Sequence, residues 1–194
     1  MLLTQLRPAV FLFILLSILT GLIYPAIITV IGKNIFPFES QGSLIVQNGK
    51  IIGSQLIGQS FTDPAFFWGR PSATSQNAYN ALASGGSNLG PLNPDLIKTV
   101  GTRVDTLQQM YPANKSAIPI DLVTASASGL DPDITPASAF YQAPRVAAVR
   151  HLPLERVNAL IVQHIQDRQF NVLGESRVNV LQLNIALLQM SQSK

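Results

Sequence analysis

The chain has 194 residues, with 13 lysines and arginines, 10 acids and a net charge of +3. Only 12% of its residues are charged, about half the roughly 25% usual for soluble proteins, and no Lys/Arg run has the density that nucleic-acid binding needs. It has no cysteine and 2 histidines, which excludes disulfides, thiolate catalysis and Cys- or His-rich metal centres.

The charge deficit lies at one end. No residue between Arg7 and Lys33 is charged, and every acid follows Lys33. The run Pro8–Gly32, PAVFLFILLSILTGLIYPAIITVIG, can span a hydrocarbon core of about 30 Å, which needs about 20 apolar residues in a helix. Tyr24, Phe36 and Phe38 gather at its far end, where aromatics favour the interface. A cleaved signal peptide would have a shorter apolar core and a small-x-small cleavage site, and Pro25-Ala26-Ile27 is a poor one. Ser17, Thr20, Gly21 and Pro25 lie within the span. Small residues admit a neighbouring helix and proline frees a carbonyl, so the helix is expected to pack on other membrane helices through Gly21, Tyr24 and Pro25. Arg7 and the amino terminus lean the N-terminus toward the cytoplasm. The expected organisation is a short cytoplasmic segment 1–7, a transmembrane helix 8–32 and one extracytoplasmic domain 33–194.

Beyond the anchor, SLIVQNGKIIGSQLIG (43–58) holds two β-rich runs around Asn48-Gly49, a type I′ hairpin signal. Residues 59–94 are rich in Gly, Pro, Ser and Asn. So long an irregular stretch is usually functional or disordered, and Phe61, Phe66, Phe67 and Trp68 argue against disorder. Asn93-Pro94-Asp95 starts a helix that runs to about Tyr111. Thr135-Pro136 starts a second, expected to break or kink at Pro144. A third begins near Pro153 with Val157, Leu160, Ile161, His164 and Ile165 on one side. A fourth follows Ser176 with Val178, Leu181, Ile185 and Leu188 along one stripe. The expected fold is α+β: one N-terminal transmembrane helix, then a single domain with a small sheet and about four helices.

Three polar loops invite chemistry. In VTASASGLDPDITP (123–136), Ser126 and Ser128 suggest a hydrolase, but the first glycine of a G-x-S-x-G elbow is missing. His164, on an apolar stripe, reads as packed core, and His151 is the other available base. Asp131 and Asp133, with Asp121 if the loop folds back, suggest a hard cation. The EF-hand pattern fails at Thr135 and Pro136, and turn or cap roles are favoured. In SGGSNLG (84–90), glycine amides suggest an anion cradle, without the lysine of a phosphate-binding loop. Arg70, after Trp68-Gly69, suits an acidic partner or a stack on the indole. The domain is too poor in acid–base groups for an enzyme; no catalytic residue and no metal ligand is expected.

The motifs GLIYP, GSQLIGQSF, FFWGRPSAT, SGGSNLGPLNP, DLVTASASGLDPDITP, YQAPRVAAVR and VNVLQLNIAL occur in this order. Together they resemble the KdpC family, the C subunits of Kdp potassium-transporting P-type ATPases of bacteria and archaea, over about Gly21 to Leu188. Family members often carry histidine at position 133 and glycine at position 127. The resemblance implies a bacterial inner-membrane complex: a channel-like potassium-binding subunit, a P-type ATP-hydrolysing subunit and a small single-span subunit, all embedded in membrane lipid. It implies that ATP, Mg and potassium are handled by the complex, with no cofactor on this chain. It also implies an accessory role, described in the family as a catalytic chaperone that raises ATP affinity. On this reading Phe67, Trp68, Arg70, Ser87, Asn88, Ser126, Ser128 and Asp131 sit in loops that dock on partners. Asp131 and Asp133 would concentrate cations near a pore. The alternative is a nucleotide-binding subunit that contacts ATP through Ser84–Asn88 or Thr124–Ser128.

Overall fold

The computed structural model describes residues 2–192. Met1 of the expected N-terminal segment, and Ser193 and Lys194 of the expected domain, lie outside the described residues. The chain divides into two units between Leu44 and Ile45.

The first unit is one apolar rod. α1 (Leu2–Ile18), a π turn (Leu19–Ile23) and α2 (Tyr24–Ile35) run on without interruption, followed by the short α3 (Pro37–Ser40). The stretch Gln5–Ile35 is 31 residues long and apolar enough to cross a membrane. At 1.5 Å per residue it reaches about 46 Å, more than the hydrocarbon core requires. Every side chain from Gln5 to Ile31 is exposed in the chain alone. Its polar groups turn inward on their own helix: Thr20 Oγ1 donates to Leu16 O, Thr29 Oγ1 to Pro25 O and Asn34 Nδ2 to Val30 O, each at 2.7 Å. Lipid offers no other partner, so this satisfaction is what a membrane segment needs. Instead of a kink at Pro25, the helix widens just before it. Tyr24 N–H donates to Leu19 O, five residues back. Proline has no N–H and its ring crowds the carbonyl four residues earlier, here Gly21; the π turn relieves both.

The second unit is α+β, as expected. β1 (Leu44–Gln47) and β2 (Lys50–Ser54) form a hairpin. Asn48 and Gly49 turn it with φ of +50° and +75°, as a type I′ turn demands. α4 (Pro94–Met110) starts where Asn93 accepts a hydrogen bond from Asp95 N–H at 2.9 Å. β3 (Asp133–Ile134), β4 (Ile165–Gln166) and β5 (Arg177–Asn179) form a three-stranded antiparallel sheet in the order β3-β5-β4. Ile134 and Ile165 both sit opposite Val178. α5 (Pro136–Arg150), α6 (Leu154–His164) and α7 (Val180–Gln192) pack around it.

The main core joins Ile134 and Val178 of the sheet to Ala139, Ala143 and Val146 of α5, Val157 and Ile161 of α6, and Leu183 and Leu187 of α7. Two expectations change here. α5 runs through Pro144 unbroken, because its Ala- and Val-rich face is buried on both sides of the proline. Of the expected α7 stripe Leu181 is buried, but Ile185 is half-buried and Leu188 exposed; Val180, Leu183, Asn184 and Leu187 are buried instead. Val178 belongs to β5. The run VNVLQLNIALL is apolar almost throughout, so several stripes satisfy helical spacing. The loop that Asn184 grips selects among them. A second cluster gathers Leu107 of α4 with Leu122 and Val123, against Trp68 and Tyr141.

Candidate docking face

The long loop after β2 is held by side chains from α5 and α7. Phe67 N–H donates to Asn184 Oδ1 and Asn184 Nδ2 donates to Phe67 O, both at 2.9 Å. Trp68 N–H donates to Gln142 Oε1 at 2.8 Å, and Gln142 Nε2 donates to Trp68 O at 3.0 Å. Each amide thus offers one residue the donor–acceptor pair that a neighbouring strand would supply. Arg145 stacks over the Trp68 ring at 5.1 Å and donates to Pro64 O and, at 2.8 Å, to Gln142 Oε1. Burial brings its guanidinium down to about 10, so it stays charged at neutral pH. Arg150 lies 4.6 Å from the Phe66 ring and donates to Ala65 O at 2.5 Å.

The clamp sets Arg70 in place. Arg70 Nη1 meets Asp131 Oδ2 at 3.0 Å, and Asp131 Oδ1 accepts Asp133 N–H at 3.0 Å. Asp133 Oδ2 meets Arg177 Nε at 3.1 Å. Burial raises the Asp133 pKa, against the opposing pull of Arg177. Tyr79 Oη donates to Arg70 O at 2.5 Å, and burial pushes the phenol up to about 12. Ser72 Oγ donates to Gly129 O at 2.7 Å and accepts Tyr79 N–H at 2.8 Å. Ser84 Oγ and Gly85 N–H both donate to Ser128 O, at 3.0 and 2.9 Å. Gly58 N–H donates to Leu130 O at 2.8 Å. A Cβ on Gly58 would stand 2.6 Å from Asp131 O, and one on Gly129, at φ +66°, would stand 2.7 Å from Gly85 O.

The three loops singled out in the sequence therefore meet. Trp68, Arg70, Ser126, Ser128 and Asp131 fall on segments bonded to one another, with Ser87 and Asn88 exposed just beyond. Phe67 corrects the expectation of a surface aromatic: it is 0% exposed and belongs to the core, so it holds the face from behind. Ser126 is buried too, unlike the exposed Ser128. Gly21, Tyr24 and Pro25 lie on the apolar rod, where Gly21 joins Phe13, Ile14, Ser17, Ile18 and Leu22 around a shallow notch.

The arrangement is poor in reactive chemistry. Asp131 and Asp133 each face an arginine, so they add little net negative charge with which to gather cations. Asp121 does fold back, but as a cap: it accepts Thr135 N–H at 2.8 Å and Ser138 Oγ–H at 2.5 Å. Among the described residues, no cluster of three or more His, Asp or Glu is placed to hold a metal. Gly85 N–H, one of the glycine amides of the 84–90 loop, is already used by Ser128 O. His164 Nδ1 lies 2.8 Å from Leu160 O, and His151 closes α5 in the left-handed region at φ +53°.

Sequence reasoning missed Asn184, Gln142, Arg145 and Arg150. The available signal was long polar side chains on the otherwise small and apolar faces of α5 and α7. It also missed Leu82 and Leu92, which stand 99% and 92% exposed on either side of the 84–90 loop.

A family model described as the c chain of K+-transporting ATPase, KdpC, matches residues 6–189. The Potassium-transporting ATPase KdpC subunit of Variovorax paradoxus is 60% identical, over 93% of this chain and 94% of its own. That of Polaromonas naphthalenivorans is 58% identical, over 94% and 93%. That of Dechloromonas aromatica is 58% identical, over 97% and 99%. With the match running from the apolar rod through the bonded loops to α7, the chain belongs to the KdpC family.

Proposed function

We propose that this chain is the accessory, assembly and regulatory subunit of a high-affinity, ATP-driven potassium import complex. The observation that carries the reading is the family match over residues 6–189, which takes in both the anchor and the domain. The rod holds the chain in a bacterial inner membrane with its N-terminus in the cytoplasm and its domain outside. Gly21 and the π turn before Pro25 seat a partner helix. The loop face docks on the channel-like subunit, with Leu82 and Leu92 as apolar anchors and Arg70, Ser87, Asn88 and Ser128 as a polar surround. A P-type subunit hydrolyses ATP, and a small single-span subunit completes the assembly.

On this topology nucleotide does not meet the domain. The chain raises ATP affinity by binding one conformational state of the pump more tightly than the other, since a partner shifts an equilibrium only by differential binding. The internal use of Gly85 N–H supports docking over direct nucleotide contact.

The chain has no cysteine among its described residues, so single cysteines report sidedness cleanly. Gln76→Cys and Ser116→Cys, both exposed sites, are expected to react with a membrane-impermeant maleimide in intact cells. Protection of both until the cells are lysed would reverse the topology and return ATP contact to the domain.

A further inference from the structure

Beside the bonded loops, the second unit holds a mostly apolar cavity of about 230 Å³. Phe61 and Trp68 of the long loop, Leu107 of α4 and Leu122 line it, together with Arg70 and Arg103. The two arginines differ. Arg70 is neutralised by Asp131 at 3.0 Å. Arg103, half-buried on α4, meets no carboxylate among the described residues. Burial alone lowers its pKa, whereas Asp63 pulls those of Arg145 and Arg150 back up. Arg103 Nη1 donates to Val123 O at 2.8 Å, which leaves the Nε–Nη2 edge of the fork without a protein acceptor. The hydroxyls of Ser72 and Tyr79, which also line the cavity, are spent on Gly129 O and Arg70 O. A cation in an apolar recess pays a desolvation cost that one carbonyl bond offsets only in part.

We propose that this cavity binds a small monocarboxylate with an apolar, ring-sized body, its carboxylate held by Arg103. Charge selects the anion. With Arg70 paired, the lining carries one uncompensated positive charge, which a single carboxylate balances and a phosphate dianion exceeds. Geometry selects the group, because the planar edge of a guanidinium takes two carboxylate oxygens side by side. Size selects the body. About 150 Å³ is enough for benzene, so this cavity has room for a ring and a short acid tail. Arg70 Nε–H, buried and without an acceptor, is a second donor on a residue of the same lining. Apolar walls with a few placed polar groups are the usual build of a small-ligand site. The cavity lies within the second unit alone, so the site stands apart from the anchor and from the assembly.

Trp68 is the chain's one tryptophan, so its emission reports on the cavity directly. Hydrocinnamate titrated into the full chain in nonionic detergent should change that emission saturably, with half-saturation below about 1 mM. The neutral hydrocinnamamide should bind about tenfold more weakly or worse, because it cannot pair with the guanidinium. Arg103→Gln should weaken hydrocinnamate by about the same factor while its circular dichroism melt is retained. The acid–amide comparison uses the unaltered chain and decides the matter even if the variant fails to fold. A response that does not saturate, or equal binding of acid and amide, overturns the site. So does a folded Arg103→Gln chain that binds the acid as tightly as before. Radiolabelled hydrocinnamate taken up by the chain alone but not by the assembled complex would give Arg103 to a partner's carboxylate, which also overturns a site for free ligand.

Discussion

Asn184 and Gln142 each satisfy both backbone groups of one loop residue, and both are almost wholly buried. Asn184→Ala leaves the Phe67 N–H and C=O unpaired in the core, and a buried group without its partner costs about 1–3 kcal/mol. The full chain in detergent should lose about 3 kcal/mol in thermal unfolding followed by circular dichroism. A loss below 1 kcal/mol would mean that water replaces the amide. Asp133 acts through charge. Its folded pKa lies above the ordinary 3.8, and burial is the main cause. The folded state therefore holds the proton more tightly than the unfolded one. The favourable contribution is present below 3.8 and is lost as pH rises through the folded pKa. Asp133→Asn should lack that decline, so the wild-type stability minus that of the variant should fall as pH is raised from 3 to 7. At neutral pH the change should be within about 1 kcal/mol, because Arg177 keeps access to water. A wild-type advantage that grows with pH would contradict this account.

At the scale of elements, the loops and the rod invite different substitutions. Gly129→Ala forces a side chain into positive φ and onto Gly85 O, and should cost about 2 kcal/mol or more in the same melt. Gly21 is the opposite case, with nothing within 4 Å of an added Cβ. Gly21→Leu should leave the melt unchanged yet lower recovery of partner subunits with a tagged chain severalfold. Unchanged recovery would remove the notch from the assembly. Much of this level was legible in the sequence: the Asn48-Gly49 turn, the Asn93 cap of α4 and the Thr135 cap of α5 all stand as the local chemistry indicates. The three-stranded sheet was not, because strands of two and three residues are too short to show an alternating pattern. Nor was the π turn, since a proline in an apolar run marks a disturbance without saying which kind. The α7 stripe was misjudged because burying Asn184 depends on Phe67, 117 residues away.

For the whole molecule, an apolar rod and an α+β domain carry a loop face with two paired carboxylates, few histidines and no metal cluster among the described residues. The meeting of the loops could not be read from spacing alone, because it relies on bonds such as Ser84 to Ser128 and Arg70 to Asp131. The resemblance of the motifs supplied what local patterns lacked. The central claim is that the chain supports potassium-stimulated ATP hydrolysis by the complex without performing it. The direct measurement is ATP hydrolysis by the purified complex, prepared with and without this chain, and by the chain alone in detergent. The account predicts potassium-stimulated turnover that falls at least tenfold when the chain is omitted, and no turnover by the chain alone. Hydrolysis by the isolated chain, or full activity in its absence, would contradict it.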